Sequence, residues 1–566
     1  MPLHNRAAGR STSPNSRMGD KHVGSGPKAT FNTWMGWGAM GTVITVLIFL
    51  YGGMAQPTGP PEDLSAITWN MAAINNNPFE YWITHDDPKY NKLMEDVSQF
   101  INDPGDKDVP VHEVFTQAMF DELCERMKQA GWDGVDEVQR RWATEYKDRR
   151  IISGFIKDGT IGKKRLASMP DRYTNTINLA DGGVAMRPTV INCFSGVDLG
   201  TSKAWWKAWV QFMFEKQVTV ESKGSVETKP IRNMLSKIKN AKYPAISLEE
   251  EAISIPLQAM AGAIFDAILV HMMNALAPTT WQPLREDMCD KLNRKKNDRT
   301  IDILETTYQN VDIQFLQEVA GAFIKKASAR KLGSTLFEVH FPAELDSDRD
   351  QNSLILLKRG VWKQVKEVTS EVASVGQSKG DLFVLEAERA RDGQKFLLAS
   401  FHGDTNGLLT LPVVTAVHDF ARRPGNAGVR KLLFGMDANT YEVAEPGKNQ
   451  GVELFAEFYT SRGLNSCYGP TPNPKNYTTF HARTYLQPQL NKAIRFSEKD
   501  VKGDKNPKDF IVFDQLDFAV RWTTKDNTGS GSYVEGMVFP TLAFPSDHGI
   551  TATSLAKGPT NTGLRH

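Results

Sequence analysis

From Val311 onward the chain alternates short apolar runs with polar loops and helical spacers: VDIQFL, LILLKR, LFVLEA, KFLLASF, KLLFGM and QLDFAV. Runs of this length read as strands, and strands mixed with helices at this spacing specify an α/β sandwich. Ser65 to Ala72 (SAITWNMA) is one more such strand, placed far upstream. A long helix-rich stretch separates the two parts. Within it Trp205, Trp209 and Phe212 recur at i, i+4 and i+7, one helical face, which reads as a core stripe rather than a substrate clamp.

The N-terminus belongs to another regime. Residues 1–33 are rich in Gly, Ser, Pro and Arg, bury too little to offset chain entropy, and are expected to be a disordered basic tail. Trp34 to Ala55 carries no charge, and a helix of about twenty such residues spans a ~30 Å hydrocarbon core. Basic residues precede this run while Glu62 and Asp63 follow it, so the tail is expected to stay cytoplasmic and everything after Pro57 to face the lumen or the outside. A cleaved signal segment ending at the small-x-small site Gly53-Met54-Ala55 and a helix buried in protein are the rival readings. With the segment kept as an anchor the chain is a single-pass membrane protein; with it cleaved the chain is secreted. A second apolar stretch, Ala252 to Ala277, contains Pro256, Gln258, Asp266 and His271 and reads as a buried amphipathic helix.

Across 566 residues, 67 Lys and Arg nearly balance 66 Asp and Glu. No global positive field marks the chain as a binder of nucleic acid. Before Thr33 stand Arg6, Arg10, Arg17, Lys21 and Lys28 against Asp20 alone, so the remainder is mildly acidic. The cysteines, Cys124, Cys193, Cys289 and Cys467, lie far apart without CxxC or Cys/His spacing, which argues against a structural zinc site. They are expected to be buried or free thiols, although their even number permits two disulfides.

Several apolar runs end on a residue with chemistry to offer. Asn70 follows the first strand, Gln317-Glu318 follows VDIQFL, His402 follows KFLLASF, and Asp437-Ala438-Asn439 follows KLLFGM. Asp517 sits inside QLDFAV, and Ser546-Asp547-His548 follows VFPTLAFP. Singly these are turn formers or solvated side chains. Together, in this order, they supply what phosphoester hydrolysis requires: oxygen ligands for a hard cation, a base for water, and donors for the departing oxygen.

In this ordered set the sequence resembles the endonuclease/exonuclease/phosphatase superfamily, the group that includes deoxyribonuclease I. ITWNMA resembles its opening W-N strand, IQFLQEV its L-Q-E motif, GMDAN its G-D-x-N, QLDFAV its L-D-Y strand and FPSDHGI its closing P-S-D-H. The resemblance covers Ile67 to Asn77 and about Ile301 to Leu555. It implies a four-layer sandwich of two mixed β-sheets flanked by helices. It also implies a Mg2+-dependent phosphoester hydrolase, with Mn2+ as a substitute. Glu318 would bind the metal, with Asn70 and Asp547 beside it. Asp437 and Asn439 would orient and deprotonate the attacking water. His548, held by Asp517, would contact the scissile phosphate or move a proton, with His402 opposite as a second donor or the acid for the leaving group. Asp514 is the alternative to Asp517, which is preferred because it leaves Leu516, Phe518 and Val520 on the opposite strand face.

Two departures stand out. Met436 separates Gly435 from Asp437 where the family places Gly next to Asp, which predicts a reshaped turn. The long gap between Asn70 and Glu318 predicts an insertion over residues 81–299, between a hydrolase segment at 65–80, reached by a linker at 56–64, and the main hydrolase region at 300–558. Residues 559–566 are expected to be a flexible tail. The P-A-W-C-D-R motif of inositol polyphosphate phosphatases is missing, and the charge balance does not indicate nucleic acid as a partner. Nucleotides, nucleic acids and lipid head groups remain the candidate phosphoesters, with the membrane as a partner through residues 34–55. A catalytically inactive, membrane-tethered scaffold on the same fold is the alternative. Asn476-Tyr477-Thr478 forms a glycosylation sequon.

Overall fold

The structure, a computed structural model, describes residues 63–558 apart from 168–175, 223–224, 347–348, 425–429 and 489. The basic tail, the apolar segment 34–55 and the tail 559–566 lie outside the described residues.

The chain enters through β1 (Leu64–Asn70) and then leaves the sheets for more than two hundred residues. That excursion is mostly helical, with two hairpins, β2 (Thr176–Asn178) with β3 (Val184–Met186) and β4 (Gln217–Ser222) with β5 (Ser225–Pro230). None of the four joins a larger sheet. The chain returns in β6 (Ile313–Val319), followed by β7 (Phe337–His340), β8 (Asn352–Lys358), β9 (Trp362–Glu367), β10 (Leu382–Arg389), β11 (Lys395–His402) and β12 (Arg430–Asp437). Then come β13 (Leu464–Ser466), β14 (Asp509–Asp514), β15 (Phe518–Asp526) and β16 (Ile550–Lys557).

These build two six-stranded sheets, ordered β15-β16-β1-β6-β8-β7 and β13-β14-β12-β11-β10-β9. Each is mixed, with one central parallel pair, β1 with β6 and β11 with β12, among antiparallel neighbours. Central strands buried on both faces need continuous apolar runs rather than alternation, which is why IQFLQEV and DFIVFD are buried almost throughout. The inner faces meet through Ile313, Phe315, Ile355, Phe396, Leu433 and Phe513, among others. Helices Thr410–Ala421 and Val452–Ser461 cover the outer face of the second sheet.

Met436 does not reshape a turn. β12 runs unbroken to Asp437, and Gly435 lies inside it under the ring of Phe315, where an added Cβ would come within 2.4 Å of ring carbons. Glycine is required there because the sheets approach closely, not because the chain bends.

The excursion packs on the outer face of the first sheet, and one continuous core joins Trp69, Leu316 and Leu354 to Leu257, Met260 and Ile264. Its axis is the helix Ser254–Leu276. This helix is long and apolar enough to cross a membrane, yet 78% of its apolar window is buried inside the fold. It is apolar on nearly every side rather than amphipathic, as befits a helix surrounded by protein. Its buried Asp266 is satisfied by Arg187 at 3.0 Å, the Thr189 hydroxyl at 2.6 Å and the Trp209 indole at 3.0 Å. Trp205, Trp209 and Phe212 are all buried in this core, as their spacing predicts.

The expectation of four thiols is corrected at one pair. Cys193 and Cys289 form a disulfide with Cα atoms 5.3 Å apart, while Cys124 and Cys467 are buried free thiols. Sequence spacing carries no signal for a bridge between residues 96 positions apart.

Candidate active site

Parallel pairing aligns strand ends, and that alignment assembles the site. In the second sheet His402 is the register partner of Asp437, and Asp437 is the partner of Asp509 on the antiparallel β14. Three titratable side chains therefore stand abreast on adjacent strands. In the first sheet Asn70 is paired with Gln317, and a bulge after Leu316 turns Glu318 out of the ladder with φ at 52°. Ala72 (φ 52°) and Asn439 (φ 48°) share this left-handed conformation, so three non-glycine residues hold strained backbone around one cleft.

Side chains then tie the strand ends and the loop before β16 together. The Gln317 amide donates to Ser400 Oγ at 3.0 Å across the sandwich. The Trp69 indole donates to the His548 carbonyl at 3.0 Å, and the Ser546 hydroxyl donates to the Asn70 carbonyl at 2.7 Å. The residues of the W-N and P-S-D-H motifs thus hold each other in place.

Asp437 is wholly buried and central. It accepts from the Asn70 amide at 2.8 Å and from the Asn439 N–H at 2.9 Å, and its Oδ2 lies 3.9 Å from His402 Nε2 and 3.8 Å from His548 Nε2. Glu318 Oε1 is 3.1 Å from His402 Nε2 and accepts from Asn70 at 3.0 Å, while Oε2 accepts from the Ala73 N–H at 2.9 Å. Burial opposes the charge on Glu318, but His402, the Ala73 amide and Asn70 hold its carboxyl below the ordinary range. Burial likewise opposes charge on His548, and Asp509 with Asp437 overrules it, raising the imidazole to about 10.

Asn439 donates to the Gly403 carbonyl at 2.9 Å and accepts from the buried Lys508 ammonium at 3.0 Å. Asp547 stands on the other flank, its Oδ2 3.5 Å from His481 Nε2, which is also 3.4 Å from Asp504.

Seven of the eight predicted residues therefore gather at one cleft: Asn70, Glu318, His402, Asp437, Asn439, Asp547 and His548. Asp517 does not. It lies in the turn between β14 and β15, where it influences Lys431 at the far end of β12 from Asp437. Asp514 is also at that end, paired with Arg422. The carboxylate that meets His548 is Asp509, 3.0 Å from Nδ1. Because β14 is antiparallel to β12, its first residue rather than its last faces the site. Lys508, His481 and Lys296 were missed as well. Lys508-Asp509-Phe510, a polar pair opening an apolar strand, was the available signal.

Glu318, His402 and Asp437 have ligand atoms within 4.8 Å of one another, as do Asp437, Asp509 and His548. Carboxylate oxygens clustered in this way suit a hard divalent cation. Asn70 presents its amide nitrogen to both carboxylates, because its oxygen accepts from the Ala72 N–H at 2.8 Å. In this arrangement it orients the carboxylates.

The cleft holds about 660 Å³. One wall is the loop 72–83 and another is the returning end of the excursion, where Met288, Leu292, Asn293 and Lys296 face the site. Burial lowers the Lys296 ammonium to about 8 against the pull of Asp547 and Glu318.

Residues 108–286, inside the excursion, match a family described as a domain of unknown function, DUF8234. No curated protein matches the chain. The chain is similar to solved structures of the endonuclease/exonuclease/phosphatase superfamily. The human Nocturnin catalytic domain with bound sulfate is 16% identical over 46% of this chain and 87% of its own, with a TM-score of 0.32. A superfamily protein from Bacteroides thetaiotaomicron is 13% identical over 47% and 89%, with a TM-score of 0.33. D. rerio TDP2 complexed with a single-strand DNA product is 12% identical over 46% and 92%, with a TM-score of 0.31.

Proposed function

We propose that the protein is a metal-dependent phosphoester hydrolase that attacks phosphorus with water, with Mg2+ as its cation and Mn2+ as a substitute. The observation that carries this reading is the placement of Asp437 between two imidazoles, His402 and His548, beside Glu318 on the floor of one cleft. Glu318, with Asp547 in the same cleft, would hold the cation, which when bound supplies charge neutralisation at the phosphate and a polarised water.

The chain's own residues supply the rest. Asp437, kept in place by Asn70 and Asn439, accepts the proton of the attacking water. Asp509 fixes His548 with Nε2 directed at the site, so the protonated imidazole donates to a phosphate oxygen. His402, backed by Asp381 at 3.5 Å, stands across the cleft as donor to the leaving oxygen. A cleft of about 660 Å³ walled by the excursion suits a nucleotide-sized phosphoester or a head group better than a continuous duplex. The test is turnover of bis-p-nitrophenyl phosphate and p-nitrophenyl phosphate by the full chain. Hydrolysis that requires Mg2+ or Mn2+ and stops on chelation is expected. Absence of turnover of both esters with both metals would overturn the reading.

For residues 34–55 we propose a single-pass anchor with the hydrolase on the lumenal or outer side, supported by the uncharged span and its basic flank. Asn476 is half-buried, and the Thr478 hydroxyl accepts the Lys508 and Asp509 amides at 2.8 and 3.0 Å, so a fold-level need already explains that threonine. Expression in eukaryotic cells should give a membrane-bound product whose gel mobility rises on endoglycosidase treatment, with the shift lost in Asn476→Gln. A soluble, cytosolic, unshifted product would remove the proposal.

A further inference from the structure

The excursion does more than wall the cleft. Its last segment runs from the helix Trp281–Cys289 into the helix Lys296–Thr306 and touches the loop after β1 at two places. The Asn293 amide donates to the Asn75 carbonyl at 3.1 Å and to Asn76 Oδ1 at 2.7 Å. Lys296 Nζ donates to the carbonyls of Ala72 and, at 3.3 Å, Ala73. Lys296 is 4% exposed, so this ammonium has given up water for those carbonyls, an exchange that is costly unless the partners are held in place.

The two carbonyls belong to a turn with a task. Ala72 is left-handed, a conformation alanine adopts only under constraint, and the next residue, Ala73, sends its N–H to Glu318 Oε2. Ala72 N–H also fixes the Asn70 amide, whose nitrogen reaches Glu318 Oε1. Both oxygens of Glu318 are thus aimed by the segment 70–73, and Lys296 grips that segment by its carbonyls.

We infer that Lys296 is a positioning residue for Glu318, the point at which the excursion sets the geometry of the metal site. The inference rests on the proposed hydrolase reading. It makes the excursion part of the active site, since without it the turn 71–73 loses the cation that gathers its carbonyls. The disulfide strengthens the grip, because Cys289, at the end of the helix leading to Asn293 and Lys296, is bridged to Cys193.

The test is Mn2+ binding to the full chain, read by electron paramagnetic resonance, together with kcat and KM. Lys296→Met is expected to raise the Mn2+ Kd roughly 10–100-fold and to lower kcat more than it changes KM. Asn293→Ala should move both in the same direction by less. A cation that merely neighbours the carboxylates would behave oppositely, since removing a like charge tightens Mn2+ binding. Tightened or unchanged binding in a folded Lys296→Met overturns the inference. If that variant does not fold, Lys296→Gln, which lacks the charge and ends one bond short of the carbonyls, carries the same test: weakened binding supports the inference, while tightened or unchanged binding overturns it. Glu318→Ala separates the two readings. Loss of Mn2+ there with normal binding in the Lys296 variants sinks only the inference, whereas normal binding in Glu318→Ala removes the metal site and both readings.

Discussion

Asp437→Asn is expected to slow turnover of bis-p-nitrophenyl phosphate by roughly 10²–10⁴-fold at saturating Mn2+, the range for losing a general base. The substitution keeps the size of the side chain but not its hydrogen bonding. Asp437 Oδ2 accepts from the amides of Asn70 and Asn439, and Oδ1 accepts from the Asn439 N–H. An asparagine satisfies one side and sets a donor against a donor on the other, which costs about 1–3 kcal/mol for the orphaned group. The variant should therefore also melt earlier than wild type, and activity must be compared below that transition. Turnover within an order of magnitude of wild type in the folded variant would remove Asp437 from the chemistry.

Asp509→Asn and Asp517→Asn form a matched pair. The first should lower kcat by about 10²–10⁴-fold, because a neutral amide beside Nδ1 withdraws the charge that keeps His548 protonated and leaves a weaker donor at Nε2. The second should leave kcat and KM at wild-type values, since Asp517 lies in a turn at the other end of the sheet. Steady-state kinetics of the two purified variants decides between them. The reverse pattern would restore the assignment that the sequence alone favours.

That pair also marks where sequence reasoning succeeds and where it stops. Asn70, Glu318, His402 and Asp437 were legible because each stands at or beside the end of a strand running toward the site, so polarity after an apolar run is a sufficient signal. Asp509 begins its strand, and only the antiparallel pairing of β14 with β12 turns a strand start into a site position. QLDFAV carried the expected letters, but its aspartate falls in a turn. The two sheets were legible as alternating strands, whereas their order was not, because pairing between strands distant in sequence leaves no local trace. Gly435 was read as a turn signal, although Phe315 from the facing sheet is what demands it. Lys296 was invisible for the same reason: a lysine in a charged run looks solvated until the fold places carbonyls around it.

β1 and β6 are hydrogen-bonded neighbours, yet Asn70 and Glu318 at their ends stand 248 residues apart. Parallel neighbours always need a crossover, so this is the joint of the sandwich at which extra chain disturbs least. Stretching that crossover from about a dozen residues to about 240 raises the entropic cost of closing it by only about 2–3 kcal/mol, because that cost grows with the logarithm of length. The core that the excursion shares with the first sheet offsets far more than that. A joint this permissive lets the crossover carry a whole subdomain to the rim of the cleft while the strand ends that form its floor keep their places.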